Sequence, residues 1–272
     1  MPDLGERDSL VTTTSILAVR VEPPEATPGA PVRYDVLAAT PEGPIAAPLA
    51  RWAHCASPKL LVENGAVSAA CLRDEGARPI GDGPAIETTL PTDACNVFGP
   101  NVTRQDLRPR DPDVTGGYFQ PVRVIVGDHV GFGMTRVSCG LASAPADIAA
   151  EHQARYTANR NPVLDPIAQG PVTRGARVTL RASWPAEAAE PYVVYDLAAR
   201  ALVPHRESMR VSWFATAGTF DADRSGRAEE EPELFTENGW TAPNVPGTAH
   251  LFVVLRDARG GTTFQTLAVE VR

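Results

Sequence analysis

Short apolar runs recur along the whole chain, each cut off by Gly, Pro, Asn or Asp at close spacing. Residues 16–21 form the first run, and Pro23-Pro24 ends it because proline has no N–H to give a ladder. Val32-Arg33-Tyr34-Asp35-Val36-Leu37 alternates with the period of two that a half-buried strand requires. Further runs lie at 50–55, 118–126, 132–139 and 179–184. The C-terminal part is clearest: Val211-Ser212-Trp213-Phe214, Gly218-Thr219-Phe220, Asn238-Gly239-Trp240, the long run 247–257, and Leu267-Ala268-Val269. Strands this short with turn residues between them predict an all-β chain of antiparallel sandwiches.

One segment departs from that period. Across 144–158, Ile148, His152 and Tyr156 fall four apart on one helical face. Pro145 sits in the first turn, Asp147 favours the positive end of the helix, and 159–162 stops it. The helix is predicted to bridge two domains, with Asn161-Pro162 opening the second. A weak internal repeat supports the division: Pro28-Gly29 leads into an alternating strand and then Trp52, and Arg174-Gly175 leads into 179–184 and then Trp213. The expected organisation is a flexible polar leader at 1–14, a sandwich at 15–141, a linker helix within 142–161 and a second sandwich at 162–272. Inside the first sandwich, between 57 and 117, the pattern dissolves into Gly, Pro, Asp and Arg. So long an irregular stretch is uncommon in a compact domain unless it is functional or cross-linked.

Composition narrows the function classes. At 272 residues the chain can bury two cores. A net charge of -8 with no basic stripe argues against a nucleic-acid partner. No apolar run approaches the ~20 residues that span a bilayer. Residues 1–8 are polar and lack the hydrophobic region of a signal peptide, so either the chain is cytoplasmic or an export signal preceded Met1 and was removed. The cysteines favour export. Cys55, Cys71, Cys95 and Cys139 all lie in the N-terminal half, at spacings far too wide for C-x-x-C metal or redox motifs. They are read as two disulfides formed in an oxidising compartment. Of the three possible pairings, Cys71 with Cys95 would staple the insertion. Cys55 with Cys139 would then join the Trp52 strand to the last strand, two strands expected to run parallel with both cysteines at one end.

Candidate chemistry is sparse. Trp52 and Trp213 read as core tryptophans of immunoglobulin-type strands rather than as a sugar-binding platform. His54, His129, His152, His205 and His250 show no metal spacing, and His54 beside Cys55 lacks a third orienting residue. No nucleophile elbow, P-loop or dinucleotide fingerprint occurs, so no catalytic residue, cofactor or transition metal is expected. Asp221, Asp223 and Ser225 copy the first half of a calcium loop, but Pro232 stands where the bidentate Glu belongs, and turn formation explains the same residues. Arg108, Arg110, Asp111 and Asp113 form a rigid charged stretch in the insertion, either a salt-bridged brace or a recognition tip.

Trp213, Gly218-x-Phe220, Asn238-Gly-Trp240-x-Ala-Pro243, Gly247-Thr248 and Arg256-Asp257-x-Arg-Gly-Gly261 resemble bacterial immunoglobulin-like or PKD-like domains. The start of the chain, from residues 16–19 through Pro28-Gly29, is similar to myxobacterial-type cell-surface lipoproteins. The resemblance implies two immunoglobulin-like antiparallel β-sandwiches joined by a short helix. It also implies an exported surface or periplasmic protein, held at a membrane only through a lipid anchor outside this chain. It supplies no catalytic residues. The expected function is a non-enzymatic binding, adhesion or spacer module for a protein or cell-surface polysaccharide. The alternative is a carbohydrate-binding or accessory domain pair of an exported hydrolase, which would require a row of exposed aromatics.

Overall fold

The computed structural model describes residues 9–60, 62–64, 67–99, 117–141 and 144–272. The first sandwich opens with β1 (Ser15–Glu22), β2 (Glu25–Ala26), β3 (Pro31–Thr40), β4 (Gly43–Pro44) and β5 (Ala50–Cys55). The insertion contributes β6 (Ala77–Asp82), β7 (Ala85–Thr89) and the single-turn α1 (Ala94–Val97) before β8 (Gly117–Val126) and β9 (His129–Ser138). One sheet has the order β2-β9-β8-β5-β6; in the other, β3 pairs with β1, β4 and β7. Among the named strands only β2 and β9 pair in parallel. Helix α2 (Ala146–Arg155) then leads to β10 (Arg177–Ser183) and the hairpin of β11 (Pro191–Asp196) and β12 (Ala201–Arg206). The second sandwich continues with β13 (Met209–Ala215), β14 (Thr219–Phe220), β15 (Arg224–Arg227), β16 (Phe235–Thr241), β17 (Gly247–Asp257) and β18 (Thr262–Val271). Its sheets run β15-β13-β17-β18 and β10-β16-β14, with β11-β12 as a separate ribbon. The chain is all-β with antiparallel sandwiches, as its pattern predicts.

Each sandwich has its own core. Val19, Val21, Val32, Tyr34, Trp52, Val122 and Val124 fill the first. Leu180, Val211, Trp213, Trp240, Leu251, Val253 and Leu255 fill the second. A third core lies between the sandwiches: Leu17, Ala18, Leu37 and Ala39 from β1 and β3 meet Phe252 and Val254 from β17, with Val11 beside them. Strands that bury both faces carry apolar runs instead of alternation. That is why β1 reads Leu17-Ala18-Val19, β3 ends in Leu37-Ala38-Ala39, and β17 reads Leu251-Phe252-Val253-Val254-Leu255. In β17 odd positions face the second core, while Phe252 and Val254 face the first sandwich. The two inner sheets therefore stack on each other, and the molecule is four sheets deep.

Several expectations change. The leader is not free over its last residues: Ser9 O accepts from Ala215 N at 2.8 Å, Val11 N donates to Ala215 O at 2.9 Å, and Val11 is buried. The apolar pair Leu10-Val11 supplies the reason, since it gives an otherwise polar segment something to bury. The insertion is partly regular, because β6 pairs with β5 of one sheet and β7 with β3 of the other, so the hairpin spans both. Its turns are pinned by Glu63, which accepts from Leu60 N and Ala69 N, both at 2.8 Å. Helix α2 is shorter than 144–158 and packs on the β11-β12 ribbon, while the sandwiches touch directly.

The disulfides are Cys55–Cys71 and Cys95–Cys139, not the pairs expected. Strands β5 and β9 do run parallel, but β8 lies between them. Two strand spacings place their backbones about 10 Å apart, beyond the roughly 7 Å a disulfide can bridge. Cys71 sits instead in a 3-10 turn against the end of β5, with a Cα–Cα distance of 5.3 Å, and α1 brings Cys95 to the end of β9 at 5.5 Å.

Peptide mapping without reductant is expected to recover the 55–71 and 95–139 linkages. Replacing Cys95 and Cys139 together by serine should lower stability by about 4 kcal/mol from loop-closure entropy, read from denaturant unfolding. Recovery of a 71–95 peptide would contradict this topology.

Candidate functional site

Reactive chemistry needs a titratable or nucleophilic side chain that substrate can reach. The candidates along this chain are committed to packing. His54 on β5 is buried with Nε2 3.0 Å from the Tyr34 hydroxyl, which lies 3.0 Å from Thr135 Oγ1. Burial, reinforced by the Arg78 charge, pushes His54 down to about 4, and burial pushes the Tyr34 phenol up. The neighbouring Cys55 is in a disulfide, so the pair holds no thiolate. All four tryptophans (Trp52, Trp184, Trp213 and Trp240) are at most 2% exposed, so none can serve a sugar platform. Three of them place their indole N–H on an internal acceptor: Trp52 on Gly83 O, Trp213 on Ser225 Oγ and Trp240 on Ala217 O.

The calcium-like segment is similarly occupied. Asp221 faces Arg177, whose Nη2 donates to Oδ2 at 2.5 Å, and Ser225 Oγ accepts from Trp213 at 2.8 Å. Asn238 braces the turn between them by donating to Ala222 O at 2.7 Å. A guanidinium on one carboxylate and an indole on the hydroxyl leave Asp223 alone of the three side chains without such a contact. Among the described residues no three His, Cys, Asp or Glu side chains converge as metal ligands. Arg108, Arg110, Asp111 and Asp113 lie outside the described residues.

The densest concentration of charge lies where the two sandwiches meet. Arg259, in the β17–β18 turn, is 2% exposed. Its Nε donates to Glu207 Oε1 at 2.7 Å and its Nη2 to Glu190 Oε2 at 3.0 Å. Its Nη1 donates to Thr157 O at 2.7 Å and to the Tyr156 hydroxyl at 3.1 Å. The aromatic rings of Tyr192 and Tyr156 flank the guanidinium at 4.9 and 5.5 Å. Tyr156 donates to Glu25 of the first sandwich at 2.8 Å, and Glu25 also takes Ser138 Oγ at 2.7 Å and pairs with Arg136 at 3.3 Å. Asn159 N donates to the second Glu25 oxygen at 2.9 Å. One network thus joins β2 and β9, the residues after α2, and the β12–β13 and β17–β18 connections. Burial pushes the Tyr156 phenol up to about 12, so it is a permanent donor at neutral pH.

Beside this network a cleft of about 420 Å³ opens between the sandwiches. Its walls are β1 (Ile16 to Val19), β9 (Gly131 to Met134), Phe119, and the turn from Arg256 to Thr262. Arg256 on that wall is turned inward, with Nη2 donating to Leu17 O at 3.2 Å.

The periodicity of the sequence carries no trace of this network. Glu25 follows two prolines, Glu190 precedes Pro191, and Asp257 and Arg259 lie in a Gly-rich turn, each explained locally by turn chemistry. No family model and no characterised protein matches the chain. Among solved structures, a lipoprotein from Bacteroides thetaiotaomicron shows 12% identity and a TM-score of 0.24, over 39% of this chain and 75% of its own. The elastase-activated alpha-2-macroglobulin of Escherichia coli shows 12% identity and a TM-score of 0.27, over 97% of this chain and 22% of its own. Its native conformation shows 11% and 0.27, over 96% and 17%. This chain thus spans less than a quarter of the macroglobulin. TM-scores this low establish no shared fold, and no property of those proteins transfers on their strength.

Replacing Arg259 by methionine is expected to destabilise the protein by about 3–5 kcal/mol, because it strands buried carboxylates. Lysine should recover only part of that, lacking the planar fork that serves Glu207 and Glu190 together. Adding millimolar calcium, or removing it with chelator, should leave Tm unchanged. A rise with calcium would reinstate Asp221, Asp223 and Ser225 as ligands.

Proposed function

We propose that this chain is a non-enzymatic, exported binding or spacer module, in which two sandwiches fused into one stiff body carry a recognition segment. The observation that carries the reading is the continuous buried contact between the sandwiches, apolar around Phe252 and ionic around Arg259. Domains in one chain move relative to each other by default unless such an interface forbids it. A stiff body suits a part that sets distance or presents a loop in fixed orientation, and loops on rigid scaffolds commonly carry binding. The two disulfides support an oxidising compartment, hence the cell surface or periplasm. Engagement of His54, the cysteines and Asp221 in structural bonds supports the non-enzymatic part. The hydrolase-accessory alternative loses its main support with the burial of every tryptophan.

Recognition is assigned to the charged stretch of Arg108, Arg110, Asp111 and Asp113, and the partner class to a protein or surface polysaccharide. The chain would reach a membrane only through a lipid anchor outside it. The β6–β7 hairpin and α1 belong to the fold, so the test must spare them. Substituting those four residues by serine should leave Tm within about 1 °C if they serve recognition and not the fold. Recovery of partners from surface fractions by the immobilised protein should fall at least tenfold. Equal recovery would remove this stretch as the contact. Turnover of peptide, ester or glycoside substrates would overturn the non-enzyme reading.

A further inference from the structure

The network between the sandwiches does not balance in charge. Glu25, Glu190, Glu207 and Asp257 supply four carboxylates, against the guanidiniums of Arg136, Arg160 and Arg259. Each of the three glutamates has an arginine at 3.3 Å or less. Asp257 receives only neutral donors at its Oδ1: Gly261 N at 2.8 Å, Arg259 N at 2.9 Å and Asn159 Nδ2 at 3.1 Å. Its Oδ2 is buried and has no hydrogen-bond partner, and neither does Asn159 Oδ1 beside it. A buried carboxylate oxygen with no donor and no arginine partner favours the protonated form of its carboxyl.

We propose that the Asp257–Glu207 pair holds one proton in the folded protein and releases it on unfolding, which makes folding a proton-binding equilibrium. The proton neutralises the one excess charge of the network. Asp257 forms part of the wall of the interdomain cleft, which gives the proton a route to water. Among the described residues, the charged and titratable groups around the pair include Glu25 on β2, Arg136 on β9, His152 and Tyr156 at the end of α2, Arg160 in the linker, Glu190 before β11, Tyr192 on β11, Arg256 on β17 and Arg259 in the same turn. Burial first, and then the Asp257 charge, push Glu207 up to about 7, and burial pushes Asp257 up as well. A carboxyl raised on folding contributes stability that is complete below its ordinary range and is lost as pH rises through about 7. His54 acts in the opposite sense: depressed to about 4, it costs stability only as pH falls below the ordinary histidine range. From pH 6.5 upward His54 adds little to the slope, and the part that Asp257→Asn removes is the part owed to the pair.

Infrared spectra of the intact protein at pH 6.5 should show a protonated-carboxyl carbonyl band that Asp257→Asn or Glu207→Gln removes. Between pH 6.5 and 8.5, Tm of the intact protein should fall by about 2 °C. Either substitution should flatten that slope, and Asp257→Asn, which removes no arginine partner, should raise Tm at pH 8.5 relative to the intact protein. Absence of the band in the intact protein overturns the proposal without reference to any variant, and so does an unchanged slope in both variants.

Discussion

Arg259 is the contact on which the placement of the two sandwiches depends. A guanidinium withdrawn from water costs several kcal/mol, and only close pairing with further hydrogen bonds offsets that. Here the pairing comes from separate parts of the chain: Glu190 and Glu207 flank the β11-β12 ribbon, and Tyr156 passes the contact on to Glu25 in the first sandwich. The bonds are directional, so they hold in one relative orientation and fail in neighbouring ones. A buried ionic network is weak support for stability but a strong constraint on geometry, and here it selects the angle at which the sheets meet.

The apolar half of the interface supplies the driving force that the ionic half does not. Phe252 and Val254 project from the outer face of β17 onto Leu17, Ala18, Leu37 and Ala39, closing off surface each sandwich would otherwise expose. Val11 closes the side of this core through its backbone bond to Ala215. Close backbone approach matters here too: a Cβ on Gly43 would lie 2.7 Å from His250 Nε2, so glycine is what lets the tip of β4 lie against β17. Gly261 serves the ionic half likewise, since a Cβ there would sit 2.0 Å from Asp257 Oδ2. With both halves in place the pair behaves as one body, which is the property a spacer or presenting scaffold needs.

Much of this was legible in the residues. Nearly every core strand was, because short apolar runs between turn residues leave no competing reading, and Trp52 and Trp213 lie in the cores as predicted. The two-sided burial of β17 was present in Leu251-Phe252-Val253-Val254-Leu255, whose lack of alternation states that both faces are covered without saying by what. Strands β6 and β7 were not legible, because Pro79 and Gly81 in β6 mimic loop and the pairing is decided by tertiary contact, whereas Tyr192-Val193-Val194-Tyr195 of β11 carried a strand signal that went unused. The disulfide pairing failed on one geometric fact, the strand between β5 and β9. The ionic network was invisible because its members are brought together from up to 234 positions apart, between Glu25 and Arg259, and long-range pairing of charges leaves no periodic trace.

The central claim is that two sandwiches with separate cores unfold as one, because the interface around Arg259 and Phe252 joins them. Scanning calorimetry of the intact protein tests it directly. One endotherm with equal calorimetric and van't Hoff enthalpies is the predicted result. Two resolved transitions, each with the enthalpy of a single sandwich, would show that the domains are independent and contradict the account.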